Sequence, residues 1–263
     1  MTVRILQIDA FADRPFEGNP AAVCLMEVDQ TDEWMQLVAA EKNLSETAFV
    51  KKLDDGFELR WFTPLAEVDL CGHATLASAH ALWTEGLADA SEPIRFHTRS
   101  GVLTCVRNGG RIQLDFPATP ATEVPTPSTA NEAFGIEPTF VGQTKFDLLL
   151  IVESEEAIRR LKPDFRLLAE LNYRGFIVSS QSEGNQFDFV SRFFAPSVGV
   201  NEDPVTGSAH CCLGPYWAKQ LQKQQLLAYQ ASRRGGVVHV QVSDERVLLE
   251  GSAVTVMRGE LFS

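Results

Sequence analysis

The sequence predicts an α+β fold of two duplicated lobes, each a mainly antiparallel β-barrel around a central α-helix. Three observations carry that expectation: a repeat at about half the chain length, two helical segments apolar on nearly every face, and a β-hairpin after each of them. Arg60, Trp61, Phe62, Thr63 and Pro64 recur 132 residues on as Arg192, Phe193, Phe194, Ala195 and Pro196. The glycine-started stretch from Gly72 to Trp83 recurs from Gly207 to Trp217, and Gly101 is matched by Gly236. A near-constant offset over several motifs marks a duplicated unit.

Each unit reads as strand, helix, strand, strand, buried helix and hairpin. Strands come from period-two alternation such as Phe57, Leu59, Trp61, and turns from Gly, Asn and Asp clusters. The first unit places these at about 3–10 with 21–27, 31–42, 46–52, 57–63, 73–85 and 102–116, the hairpin folding at Asn108, Gly109 and Gly110. The second places them at about 147–153, 154–171, 175–180, 187–194, 207–222 and 237–250, folding at Ser243, Asp244 and Glu245. Between Ala74 and Trp83 and between Ala209 and Trp217 almost nothing is polar. A helix with no polar face must be surrounded by protein, so strands are expected to wrap it.

The lobes are expected at 1–116 and 131–250, with about 251–263 packing on the first. Pro117, Pro120, Pro125 and Pro127 mark an extended linker over 117–130. The cleft between lobes is the expected ligand site, since pockets favour domain interfaces.

Composition excludes several partners. The formal charge is -12, from 23 Lys plus Arg against 35 Asp plus Glu, and no dense basic run offers contacts to phosphates. Nucleic acid is therefore not an expected partner. No stretch reaches 18 apolar residues, so no membrane span is expected, and Met1 to Phe11 does not read as a signal peptide. Five cysteines without regular spacing do not form a disulfide framework, which places the chain in a reducing, cytoplasmic compartment.

Each central helix opens on small and polar residues: Asp69, Leu70, Cys71, Gly72, His73, Ala74, Thr75 in one unit, and Glu202, Asp203, Pro204, Val205, Thr206, Gly207, Ser208, Ala209 in the other. The first N–H groups of a helix lack internal partners and sit at its positive end, so such turns suit a substrate carboxylate. Simple N-capping by Asp203 and Ser208 explains either turn alone; its occurrence in both halves favours a binding role. Glu46 stands at the entry to a strand, where desolvation raises a carboxyl pKa and suits it to proton transfer. A solvated loop glutamate is the plain alternative. The matching position in the second unit, near Arg174, is not acidic. His73 offers a donor or proton relay, or a simple cap. Cys71 at a helix start is either a base or nucleophile or a small buried hydrophobe. Cys71, His73, His210, Cys211 and Cys212 lack zinc spacing, so no metal is expected. Dinucleotide, phosphate-loop and serine-hydrolase fingerprints are also missing.

Four motifs in order resemble the phenazine biosynthesis protein F-like family, which shares the diaminopimelate epimerase fold. They are Asp9, Ala10, Phe11 with Pro15, Phe16, Gly18, Asn19, Pro20, Ala21, Ala22, Val23; Ser45, Glu46, Thr47, Ala48, Phe49; Cys71, Gly72, His73, Ala74, Thr75; and the run Glu202 to Ala209. The resemblance covers nearly the whole chain. It implies a cofactor-independent isomerase, commonly a homodimer, acting on a small carboxylate-bearing substrate. Catalytic roles fall on Glu46, His73, Asp203 and Ser208, and substrate binding on Asn19, Cys71, Gly72 and Gly207. In the phenazine enzyme the glutamate shuttles a proton between ring positions of a dihydro-hydroxyanthranilate. Cys71 stands where epimerase relatives keep a catalytic thiol, but the opposite loop carries Asp203 instead. A racemase pairing Cys71 with Asp203 therefore stays open, as does a non-catalytic carboxylate-binding protein.

Overall fold

A computed structural model describes residues 2–262. In chain order the strands and helices are β1 (Thr2–Ala10), β2 (Asn19–Met26), α1 (Asp32–Lys42), β3 (Glu46–Leu53), β4 (Gly56–Phe62), β5 (Glu67–Val68), α2 (Gly72–Thr84), β6 (Ile94–Thr98), β7 (Gly101–Asn108) and β8 (Arg111–Pro117). There follow β9 (Thr122–Glu123), α3 (Ser128–Phe134), β10 (Phe140–Gln143), β11 (Asp147–Ile151), α4 (Glu155–Arg160), α5 (Phe165–Ala169), β12 (Gly175–Gln181), β13 (Phe189–Ala195) and β14 (Val200–Asp203). The chain ends with α6 (Gly207–Leu221), β15 (Gln225–Gln230), β16 (Gly236–Ser243), β17 (Arg246–Gly251) and β18 (Ala253–Phe262). It divides into two compact units, residues 1–115 with 250–263, and residues 116–249.

In the first unit, β2 runs parallel to β3 through the crossover helix α1, while β3 and β4 form an antiparallel pair. β4 then runs parallel to β6, and β6 and β7 are antiparallel. β1 pairs antiparallel with both β2 and β18. Inside, α2 packs against β1, β2, β3 and β18, buried at nine of its 13 residues. Outside, Met35 and Ala39 of α1 cover a second core of Val3, Ile5, Phe49 and Phe62. β2 is therefore buried on both faces, and its sequence reads as a continuous apolar run instead of an alternating one.

The second unit repeats this wiring. β11 runs parallel to β12, β12 is antiparallel to β13, β13 is parallel to β15, and β15 is antiparallel to β16. The helix read over 154–171 is two, α4 and α5, because Pro163 interrupts the pattern. Ser154 and Asp164 each cap one of them through the side chain. α6 takes the inner position, packing on β15 and β16. Trp217 stacks on Phe189 at 5.8 Å and donates from its indole N–H to Ser179 Oγ at 2.9 Å. Trp217→Phe keeps the stacking and removes that bond, so chemical denaturation is expected to show a loss of about 1 kcal/mol.

The duplication extends to a pair of partly buried ion pairs. Arg60 on β4 donates from Nε and Nη2 to both oxygens of Glu67 on β5, at 2.8 and 2.7 Å. Arg192 on β13 holds Glu202 on β14 in the same fork, at 2.6 and 2.9 Å. Each guanidinium also lies over a phenylalanine two residues on, Phe62 or Phe194. Two parallel bonds fix direction as well as distance. The short strand leading to each central helix is thereby pinned to its sheet.

Candidate active site

In the first unit the site residues come from three element starts. Asn19 opens β2, Glu46 opens β3, and Cys71 caps α2, whose first two residues are Gly72 and His73. Parallel register sets Glu46 opposite Ala21, two residues past Asn19. The approach to Asn19 needs Gly18: its φ is +64°, and an added Cβ would lie 2.1 Å from the Ala10 carbonyl oxygen.

A chain of polar contacts links these positions. Ser45 Oγ lies 3.5 Å from Asn19 Oδ1, and Asn19 Nδ2 lies 3.1 Å from His73 Nδ1. The amide nitrogen donates, so Nδ1 accepts and the ring proton sits on Nε2. Nε2 faces Glu46 Oε2 at 3.2 Å, a close contact not yet aligned as a hydrogen bond. Unliganded sites commonly hold such contacts loosely aligned. Cys71 Sγ lies 3.5 Å from His73 Nδ1. Asn19 is fully buried and His73 4% exposed, while the Glu46 side chain keeps 18%. Burial pushes the His73 imidazole down to about 3, so the ring is neutral at physiological pH.

The second unit builds its turn from other residues. Asp203 ends β14, Gly207 and Ser208 begin α6, and Thr206 Oγ1 donates to Asp203 Oδ2. The buried Gln230 amide ties the loop together: it accepts from Thr206 N–H and donates to the Asp203 carbonyl, both at 2.8 Å. Arg174, one residue before β12, donates to Ser208 Oγ at 3.1 Å and to Asp147 Oδ1 at 2.8 Å. Where the first unit sets an acid against the histidine of its helix start, the second sets a guanidinium against the serine. The sequence reading named neither Gln230 nor Arg174 as a candidate site residue. Gln230 gave no local signal, and Arg174 was visible only as the non-acidic counterpart of Glu46.

The sequence had weighed a metal set of Cys71, His73, His210, Cys211 and Cys212. Among the described residues the structure instead gathers Glu46, Cys71 and His73. Cys211 and Cys212 lie inside α6, with thiols that burial pushes up to about 12. His210 donates from Nδ1 to the Thr206 carbonyl at 2.8 Å, which serves the loop.

The Asn19, Glu46, Cys71 and His73 cluster coincides with a match to a family model described as phenazine biosynthesis-like protein, over residues 8–259. The chain belongs to this family. It is 53% identical over 262 residues to an uncharacterized isomerase of Halalkalibacterium halodurans, covering 99% of both chains. A phenazine biosynthesis protein PhzF family structure from Enterococcus faecalis superposes with a TM-score of 0.95 at 40% identity, covering both chains completely. A probable proline racemase from Agrobacterium radiobacter K84 shares the fold at a TM-score of 0.69 and 9% identity, covering 99% of this chain and 93% of that one. The architecture is thus the α+β, diaminopimelate epimerase-like one, and this phenazine biosynthesis-like chain is of the isomerase type. No helix among the described residues is long and apolar enough to cross a membrane.

Burial also makes the family member acid-sensitive. It lowers His73 to about 3, and His80 and His210 to about 4, from an ordinary value near 6.5. Below about pH 6.5 the unfolded chain binds protons that the fold refuses. Their stabilising contribution is complete above that pH and is lost as pH falls towards 4. Each histidine contributes a slope of up to about 1.4 kcal/mol per pH unit. His97 has the opposite sign, because the Asp55 carbonyl and carboxylate raise its pKa, but it lies on the surface where solvent screens it. Urea midpoints measured from pH 7.5 to 5 are expected to hold until about pH 6.5 and to fall below it.

Proposed function

We propose that the chain is a cofactor-independent isomerase that moves a proton on a small carboxylate-bearing substrate by general acid–base catalysis. The observation that carries this reading is the contact of the neutral, tautomer-fixed His73 with Glu46. In this mechanism Glu46, as carboxylate, takes a proton from a substrate carbon and returns it at another atom. The His73 Nε2–H meets the oxygen that carries the changing charge, and Asn19 keeps that proton on Nε2. The first N–H groups of α2 and α6, beginning at Gly72 and Gly207, hold substrate carboxylate or enolate charge. Ser208 and Asp203 orient the substrate from the second unit, with Arg174 adding positive charge beside Ser208. Cys71 lines the first site. The reading includes a homodimer in the cytoplasm and no metal in the proton transfer.

The 3.5 Å approach of Cys71 Sγ to His73 Nδ1 favours one second reading, a racemase using Cys71 with Asp203. The test is deuterium incorporation from D₂O into a panel of small amino and hydroxy carboxylates, read by NMR and mass spectrometry. Incorporation that survives Cys71→Ser and vanishes in Glu46→Gln supports the isomerase. The reverse pattern supports the racemase. Binding without incorporation over the panel supports a non-catalytic binder.

A further inference from the structure

The first-unit cluster carries a property that proton transfer does not use. One ligand atom each from Glu46, Cys71 and His73 lie within 4.8 Å of one another. Within the cluster, Cys71 Sγ is 3.5 Å from one ring nitrogen of His73 and Glu46 Oε2 is 3.2 Å from the other. A tetrahedral Zn²⁺ with bonds of about 2.0–2.3 Å separates its ligands by about 3.5 Å, so side-chain motion on the order of 1 Å closes the set around one ion. A thiolate, an imidazole and a carboxylate with a position left for water is a donor set that selects zinc-like cations over Mg²⁺ or Ca²⁺.

Chemistry at each donor agrees with the geometry. His73 Nδ1, the nitrogen beside Cys71 Sγ, carries the lone pair that accepts from Asn19, so a cation takes it by displacing that amide and draws Glu46 across from Nε2. Cys71 is the N-cap of the 13-residue α2, which places its sulfur beside His73 Nδ1. All five thiols are buried, and burial pushes Cys24, Cys211 and Cys212 up to about 12 and Cys105 higher still.

We propose that Glu46, Cys71 and His73 form a site for a thiophilic divalent cation of the Zn²⁺ type, and that its occupation shuts the proton-transfer centre. On binding, the Cys71 thiol releases its proton to solvent and its sulfur electron pair forms the bond to the cation. The cation simultaneously takes the Glu46 oxygen and the His73 nitrogen. The shut-off half of the proposal rests on the function proposed above, whereas the binding half does not.

The test titrates the intact, reduced protein with Co²⁺ and then Zn²⁺. One Co²⁺ per chain is expected, with a thiolate-to-cobalt charge-transfer band that Zn²⁺ abolishes. Cys71→Ser keeps the other four thiols and is expected to lose the band. Both Cys71→Ser and Glu46→Gln are expected to weaken binding by at least about tenfold, since losing even an outer-shell partner typically costs 10–100-fold. Matching thermal unfolding curves show that the variants are folded. Failure to take up Co²⁺ saturably, or a band that persists in Cys71→Ser, overturns the site. With a substrate that exchanges deuterium, stoichiometric Zn²⁺ is expected to stop the exchange; exchange unchanged at saturation overturns the shut-off while the binding result stands. The titration needs no turnover, so it decides the site even if the search for exchange chemistry fails.

Discussion

Glu46→Gln is expected to lower solvent deuterium incorporation into the true substrate by about 10²- to 10⁴-fold, the range that a positioned acid–base group contributes. The substitution preserves size and one oxygen beside His73 Nε2, so the fold and the tautomer are kept while the base is lost. Substrate affinity is expected to change little, because the carboxylate grip belongs to the helix starts. A drop in kcat with KM nearly constant, measured by NMR-detected exchange, is the signature of an interaction made in the transition state. Equal exchange in the variant and wild type removes Glu46 from the mechanism.

Gly18→Ala is expected to destabilise the protein by about 2–5 kcal/mol, read as a shift in urea midpoint. The backbone there has a φ of +64°, which costs a residue with a Cβ about 1–2 kcal/mol. Overpacking adds about 1–3 kcal/mol, because the new carbon meets a carbonyl oxygen at 2.1 Å and the backbone has to move. The displacement passes to Asn19, the next residue, whose amide fixes the His73 tautomer. The surviving folded protein is therefore expected to exchange deuterium more slowly as well. A variant with wild-type stability would show that the 11–18 loop yields without strain.

The two kinds of information separated by range. α1 falls within a residue of its reading because Thr31 caps it through its own side chain, accepting from Trp34 N–H, and a local signal needs only local residues. The α2 and α6 readings hold because an apolar surface on every face has one physical outcome, burial. β6, β15 and β18 escaped the reading: they are edge-to-neighbour strands defined by their partners β4, β13 and β1, far away in sequence. The division of 154–171 into α4 and α5 was in the letters, at Pro163, and was overridden by periodicity. Arg60 with Glu67 and Arg192 with Glu202 show the intermediate case. The repeated arginines were legible, but their partners, at unequal spacings, were not.

What the sequence determined by itself was the duplicated architecture, the two helix starts and the family, because repeats, apolar periodicity and short motifs are properties of neighbouring residues. It also named Glu46, Cys71 and His73 separately. Only the tertiary structure decided that these three share one cluster, that Asn19 holds the imidazole in one tautomer, and that Arg174 stands beside Ser208. Those facts depend on parallel register between strands and on burial that removes water from an imidazole. Both are set by the packing of residues 25 or more positions apart in the chain, which no local pattern encodes.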